Sequence, residues 1–154
     1  MINTPQIVQT DVHHTAVIRV IVPCDQIHHV MGPAMSEVLA AVAAQGATRN
    51  GPLFSHHFRT VPDVFDLEVG VPVLTPVAAA GRVVASTRPA TTVARTVYHG
   101  GYHGLGAAWG EFDAWLKASS HPTADDLWEC YVSGPESSAD PAEWRTELIR
   151  PLRG

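Results

Sequence analysis

The sequence predicts an α+β protein built from two copies of one β-α-β-β unit, and three observations lead to this fold class. Runs rich in β-branched residues alternate with two stretches of helical hydrophobic spacing. The order strand, helix, strand, strand occurs twice. The chain has 154 residues, 45% of them hydrophobic, which is enough to bury a core. We expect one domain over residues 1–154, with an antiparallel sheet, two helices packed on it and pseudo-twofold symmetry.

The first copy is predicted over about residues 5–73. Its first strand is rich in β-branched residues and ends at Pro23, which cannot donate to a sheet ladder. Its helix is predicted to open at Gly32-Pro33, because proline is tolerated in a first turn. The elements, in order, are a strand broken into 6–10 and 15–22, this helix, and a hairpin of 52–59 and 64–71 that turns at Pro62-Asp63.

The second copy is predicted over about residues 82–152. Its helix follows the break at Gly100-Gly101 and ends near Ser120, with an apolar stripe that includes Leu105, Phe112 and Leu116. The other elements are strands at 83–87, 92–99, 127–132 and 144–149. The second copy therefore has the same element order as the first.

The two copies also align residue by residue. Residues 17–22 match 93–98, and residues 65–73 match 144–152. The matched pairs are Arg19 with Arg95, Glu68 with Glu147, Pro72 with Pro151, Phe54 with Glu129 and His56 with Tyr131. Chance similarity of apolar strands is the alternative interpretation. If the copies are a duplication, the seam between them is a natural ligand cleft.

One strand of the second copy carries an acid beside a phenol. Side chains alternate along a strand, so Glu129 and Tyr131 share one face. The opposite face, with Trp128 and Cys130, is apolar and is expected to pack on the helix. In an aromatic cleft, Glu129 would be a counter-ion for an organic cation. The alternative is an ordinary solvated or arginine-paired carboxylate.

Further aromatic side chains are candidates for the same cleft. Tyr98 and Tyr102 flank the glycine turn, and Trp109 lies at the edge of the apolar helix stripe. The alignment adds Phe54 and His56 from the first copy. Core packing is the alternative for each of them.

Several function classes are disfavoured. The net charge of −5 and the lack of a basic patch argue against direct nucleic-acid binding. Apolar runs are too short for a membrane span, and the start has no signal pattern, so we expect a cytoplasmic protein. The two thiols, of Cys24 and Cys130, suit a reducing compartment. His99 and His103 lack further ligands, so we expect no metal and no cofactor. Nucleophile motifs are absent.

Four stretches together resemble a known family: 65–73, 98–105, 128–131 and 144–152. The sequence is similar to the gyrase-inhibitory-protein-like (GyrI-like) family, which also occurs as the effector-binding domain of multidrug-responsive bacterial transcription activators. The resemblance covers nearly the whole chain and implies paired β-α-β-β modules of the SHS2 type. We expect no DNA-binding helix-turn-helix ahead of the domain. Gly101 stands where the family commonly has proline.

The resemblance also implies an aromatic pocket with an acid at its base, and Glu129 matches that acid. Tyr131 and Tyr102 match neighbouring pocket positions. We therefore expect a stand-alone protein that binds lipophilic, cationic aromatic molecules between the repeats. One alternative is a hydrolase of electrophiles such as cyclopropane-containing cytotoxins, with Glu129 and Tyr131 catalytic. Another is a modulator of a protein partner, such as a gyrase inhibitor. Whether the chain is an enzyme stays open.

Overall fold

The computed structural model describes residues 2–58 and 63–153, and in them it contains eight strands and two helices, which confirms the α+β class. The strands are β1 (Gln6–Gln9), β2 (His13–Pro23), β3 (Phe54–His57), β4 (Val64–Val73), β5 (Val84–Arg88), β6 (Thr92–His99), β7 (Leu127–Ser133) and β8 (Arg145–Pro151); the helices are α1 (Ile27–Ala44) and α2 (Leu105–Ala118). The predicted strand end at Arg59 and the turn residue Pro62 lie outside the described residues. Neither helix is apolar enough over a sufficient length to cross a membrane.

The chain forms two compact units. Residues 11–90 make one, which we call the Arg19 unit, and residues 1–10 with 91–154 make the other, which we call the Glu129 unit. In the Arg19 unit the strand order is β3-β4-β2-β5. In the Glu129 unit it is β7-β8-β6-β1. All of these pairings are antiparallel, and each unit carries one helix.

The outer strand of each unit belongs to the predicted copy that forms most of the other unit. We expected residues 6–10 to continue into β2, but β1 pairs with β6. We placed residues 83–87 in the second copy, but β5 pairs with β2. The compact units therefore do not coincide with the predicted copies, although β-α-β-β order recurs in both.

The core of the Arg19 unit lies between its sheet and α1. Alternate residues of β2 and β4 face the helix, as expected for a half-buried antiparallel sheet. The buried residues are Ala16, Ile18, Val20 and Val22 from β2, Leu67, Val69, Val71 and Val73 from β4, and Ala34, Val38 and Val42 from α1. In the Glu129 unit the corresponding core consists of Ala94, Tyr98, Ala108, Phe112, Leu116 and Leu148.

Helix α1 begins at Ile27, so the prediction that it opens at Gly32-Pro33 is wrong. Pro33 lies inside the helix. A proline inside a helix removes one helical hydrogen bond, so the local sequence by itself favours a helix that starts at the proline. Here Ile27, Val30 and Met31 pack on the core of the unit, and this apolar contact extends the helix on the N-terminal side of Pro33.

The strand registers test the alignment of the two copies. Pro72 lies opposite Thr15 and Pro151 opposite Val93, so an alignment anchored on the two prolines also matches Thr15 with Val93. Glu68 lies opposite Arg19, whereas Glu147 lies opposite Val97. Val97 is therefore the equivalent of Arg19, and the predicted match of Arg19 with Arg95 is two residues out.

Candidate functional site

Glu129 and Tyr131 lie on the helix side of the Glu129 unit. Glu129 is opposite Leu148 in the register of β7 and β8, and Tyr131 is opposite Thr146. Directly opposed residues point to the same face of a sheet, and Leu148 packs in the core under α2. Glu129 and Tyr131 do share a face, as predicted. We expected the face with Trp128 to pack on the helix, and this expectation is wrong because Trp128 lies on the opposite face.

Two neutral donors hold the Glu129 carboxylate. The Trp109 indole Nε1 donates to Oε2 at 2.7 Å, and the Tyr131 hydroxyl donates to Oε1 at 2.9 Å. Trp109 lies in the second turn of α2, the helix whose buried residues pack on β6 and β8. All three side chains are half-buried. Charge-assisted hydrogen bonds of this length fix the carboxylate in one orientation.

Aromatic rings continue from this carboxylate. The Tyr102 ring lies edge-on to the Tyr131 ring with centroids 5.9 Å apart, and 5.2 Å from the Trp144 ring. The Trp144 Nε1 donates to the Ser138 carbonyl at 2.8 Å, which fixes that ring. Tyr102 is 40% exposed, so solvent reaches this group of rings. In the sequence, Trp144 served only to align the copies and was not among the candidate site residues.

The electrostatics at Tyr102 reflect the same surroundings. Partial burial raises the pKa of the Tyr102 hydroxyl, and the negative charges of Glu136 and Glu129 raise that pKa further. Tyr102 therefore stays protonated and neutral at physiological pH. A neutral phenol beside a carboxylate leaves the local charge negative.

Tyr98 lies in the core rather than in a wall. Its side chain is 6% exposed and packs in the cluster under α2. Its hydroxyl donates to the Gly101 carbonyl at 2.8 Å, which ties the turn before the helix. Gly104 is required there, because a Cβ at that position would collide with the Tyr98 hydroxyl. Tyr98 thus positions the turn that carries Tyr102.

Phe54 and His56 lie in the Arg19 unit, on the sheet face away from α1. Phe54 is opposite Gly70 and is fully buried, and the Arg88 guanidinium carbon lies 5.3 Å from its ring centroid. His56 Nδ1 lies 4.0 Å from a carboxylate oxygen of Glu68, opposite it in register. Burial raises the pKa of that Glu68 carboxyl, against the smaller opposing effects of His56 and Arg19.

The register also corrects the positions predicted to be equivalent to Glu129 and Tyr131. Glu129 pairs with Leu148, whose equivalent Val69 pairs with Ser55. Ser55 and His57, not Phe54 and His56, are therefore the matching positions, and the sequence alignment was one residue out. Ser55 Oγ and His57 Nε2 are 3.2 Å apart, at hydrogen-bond distance. Sequence reasoning missed both residues.

The histidines considered as metal ligands have other contacts. His99 Nε2 lies 3.1 Å from Asn3 Oδ1, and the Arg145 Nε donates to His99 Nδ1 at 3.4 Å. Over residues 2–58 and 63–153, no three histidine, cysteine or acidic side chains form a group that could hold a metal ion. That no metal or cofactor is needed stays a prediction.

Comparison with known proteins adds a family and a fold. A family model described as a GyrI-like small molecule binding domain matches residues 4–153. The structure is similar to the C-terminal domain of EcmrR, with a TM-score of 0.85 and 20% identity over 97% of each chain. The chain spans 57% of EcmrR in its complex with DNA. No curated protein matches it in sequence.

Two more distant structures differ in what their names state. SAV2435, solved with tetraphenylphosphonium bound, has a TM-score of 0.67 and 10% identity over 99% of this chain and 95% of its own. A hydrolase from Listeria innocua has a TM-score of 0.61 and 11% identity over 97% of this chain and 91% of its own. At these identities the likeness shows a shared fold.

Proposed function

Because the chain belongs to the GyrI-like small-molecule-binding domain family, we propose that it binds lipophilic, cationic aromatic molecules at Glu129. The carrying observation is the Glu129 carboxylate, held by Trp109 at 2.7 Å and Tyr131 at 2.9 Å beside further aromatic rings. Such a site combines one fixed negative charge with apolar walls.

The surroundings of Glu129 favour a cation as the ligand. Both donors that hold the carboxylate are neutral groups, and no lysine, arginine or histidine in the described part of the chain forms an ion pair with it. A half-buried carboxylate without a counter-charge gains more from a cation than a solvated one does. The faces of Tyr102, Tyr131 and Trp144 add cation–π attraction.

The distant relative supports the ligand class. SAV2435 was solved with tetraphenylphosphonium, a lipophilic cation that carries four phenyl rings. Because the charge of this ion has no hydrogen-bond donor, it can approach a carboxylate whose lone pairs are already partly used. This matches Glu129, where each oxygen already accepts one hydrogen bond.

Tetraphenylphosphonium is expected to bind the full chain with a Kd on the order of 10 µM, which corresponds to about −7 kcal/mol. The neutral triphenylphosphine oxide should bind at least about tenfold more weakly, because it can contact the aromatic rings but forms no ion pair with Glu129. Isothermal titration measures both affinities, and the fluorescence of Trp109 and Trp144 should respond. If neither compound binds, the proposed pocket is wrong; if both bind equally, the role of the charge is wrong.

Hydrolysis of an electrophilic small molecule is the second candidate function. It is favoured by the Tyr131 hydroxyl that donates to Glu129, which pairs a potential acid with a potential base. In addition, the buried Thr146 hydroxyl, opposite Tyr131, has no hydrogen-bond partner among the described residues. Buried hydroxyls of this kind commonly bind a water or a ligand.

A cyclopropane-bearing cytotoxin separates the two candidates. We expect little or no hydrated product when the wild-type chain is incubated with such a compound and followed by mass spectrometry, because binding needs only the walls and the charge. General acid–base help typically contributes about 10²- to 10⁴-fold in rate. Rapid turnover that Glu129→Gln abolishes while the compound still binds would make the hydrolase the correct function.

A further inference from the structure

Thr146 lies in β8 with a hydroxyl that is buried and unpaired. The residue is fully buried, and its Oγ1 forms no hydrogen bond with any residue in the ranges 2–58 and 63–153. A buried hydroxyl without a partner lowers the stability of a fold, and a bound molecule is one of the few explanations for it. The fold around Thr146 therefore leaves one polar atom available.

Thr146 shares the sheet face of the proposed cation site. Leu148, two residues further along β8, packs under α2, and side chains two apart on a strand point to the same face. In register, Thr146 is opposite Tyr131 of β7 and opposite Tyr98 of β6. Directly opposed residues have Cβ atoms about 5 Å apart. Thr146 therefore lies between two tyrosines, one of which donates to Glu129.

The hydroxyls of these two tyrosines donate to other groups. Tyr131 donates to Glu129 at 2.9 Å, and Tyr98 donates to the Gly101 carbonyl at 2.8 Å. Both of these hydroxyls lie at the far ends of long side chains. The threonine hydroxyl is bonded to Cβ and so stays close to the sheet. Thr146 is thus a polar point at the base of an otherwise aromatic site.

Tyr102 is the side chain that controls access to this hydroxyl. It follows Gly101, which accepts from the Tyr98 hydroxyl, and its ring centroid lies 5.9 Å from that of Tyr131. Tyr102 therefore spans the outer ends of the two tyrosines that flank Thr146. Because Tyr102 is partly exposed, its side chain can rotate towards solvent within nanoseconds. That rotation would open the base of the site.

We propose that Thr146 is a specificity-determining residue of the Glu129 site and that its hydroxyl binds an oxygen atom of the ligand. The ligand class is then a lipophilic aromatic cation that also carries a hydroxyl or carbonyl group. The cationic centre lies beside Glu129, and the oxygen reaches Thr146 when Tyr102 turns outward. An apolar group of the same shape is disfavoured, because it leaves the hydroxyl unpaired. This inference rests on the proposed function.

Two substituted tetraphenylphosphonium ions test the preference for an oxygen. One carries a para-hydroxymethyl group on one ring, and the other carries a para-ethyl group, so they have the same charge and nearly the same shape. The wild-type chain should bind the hydroxymethyl ion about fivefold more tightly than the ethyl ion. Isothermal titration measures both affinities.

A matched pair of threonine variants assigns this preference to one hydroxyl. Thr146→Val nearly keeps the shape of the side chain, and its ratio of the two affinities should fall at least about fivefold, so that the preference for the hydroxymethyl ion disappears. Thr96→Val is the control. Thr96 is also buried, and its hydroxyl donates to the Asn3 carbonyl at 2.7 Å. Thr96→Val should keep the wild-type ratio.

Thermal melts without ligand test the Thr146 hydroxyl independently of binding. Since this hydroxyl is unpaired, Thr146→Val should melt at or above the wild type. Thr96→Val loses a hydrogen bond and should melt about 3 °C lower. If Thr146→Val melts as low as Thr96→Val, the Thr146 hydroxyl is bonded within the fold, directly or through a water, and the proposal is wrong.

The titrations separate this inference from the proposed function. If both substituted ions bind the wild type equally, or if Thr146→Val keeps the preference for the hydroxymethyl ion, Thr146 does not determine specificity and the cation site still stands. An equal fall of the ratio in Thr96→Val also overturns the role of Thr146. If neither ion binds, nor tetraphenylphosphonium itself, the proposed function and this inference are both wrong.

Discussion

Glu129→Gln is expected to lower the affinity for tetraphenylphosphonium about 30-fold, or about 2 kcal/mol, while triphenylphosphine oxide changes by less than about threefold. The substitution removes the carboxylate charge that Trp109 and Tyr131 hold and nearly keeps its shape. The loss is large because the carboxylate is half-buried and the two donors that hold it are neutral. Isothermal titration of both compounds against both proteins gives the comparison.

Tyr131→Phe is the control for the hydrogen bonds around Glu129. A glutamine keeps one oxygen that accepts from Trp109, and its amide nitrogen can donate to the Tyr131 hydroxyl, so Glu129→Gln reverses one hydrogen bond as well as removing the charge. Tyr131→Phe loses its 2.9 Å bond to Glu129 and keeps the charge, so its cation affinity should fall only about threefold. Equal loss for the cation and the neutral compound in Glu129→Gln would mean that Glu129 acts through structure alone, and no loss would place the ligand elsewhere.

Side-chain alternation predicted that Glu129 and Tyr131 share a face, but not which face meets the helix. The residues between and beside them are apolar, so they were expected to form the core under α2. In the structure Trp128 and Cys130 are also buried, at 6% and 2% exposure, although they lie on the opposite face. When both faces of a strand are buried, hydrophobicity cannot identify the helix side.

The equivalent positions in the Arg19 unit were missed for a related reason. Strand β3 has four residues, Phe54-Ser55-His56-His57, and three of them are polar. It therefore lacks the alternation that sets register, and a one-residue slip moves every side chain to the other face. Ser55 is fully buried and faces α1, yet nothing in the local sequence distinguishes it from a solvent-facing serine.

The strand anchors show which sequence signals carry register. A proline fits only where the ladder needs no N–H, so Pro72 and Pro151 restrict the register of their strands more than an arginine does. Arg19 and Arg95 carry no such backbone restriction, and their match was a coincidence of composition. Backbone-restricted residues are thus the better anchors for aligning two divergent copies.

Gly70→Ala is expected to destabilise the chain by about 3 kcal/mol or more, which lowers Tm by about 10 °C for a chain of this length. Gly70 lies within β4, between Val17 of β2 and Phe54 of β3. A Cβ there would collide with the Ala16 carbonyl oxygen and come within 2.6 Å of Val17 Cγ1. The Ala16 oxygen is backbone in the β2–β4 ladder and cannot move without breaking that ladder.

Gly110→Ala is the matched control, because a Cβ on Gly110 meets nothing within 4 Å. Gly110 lies inside α2, where alanine is favoured over glycine by about 0.5–1 kcal/mol, so this variant should melt slightly above the wild type. Calorimetric melts of the three proteins give the order Gly110→Ala, wild type, Gly70→Ala. A Gly70→Ala melt within about 2 °C of the wild type would mean that β2 and β4 are not packed as closely as described.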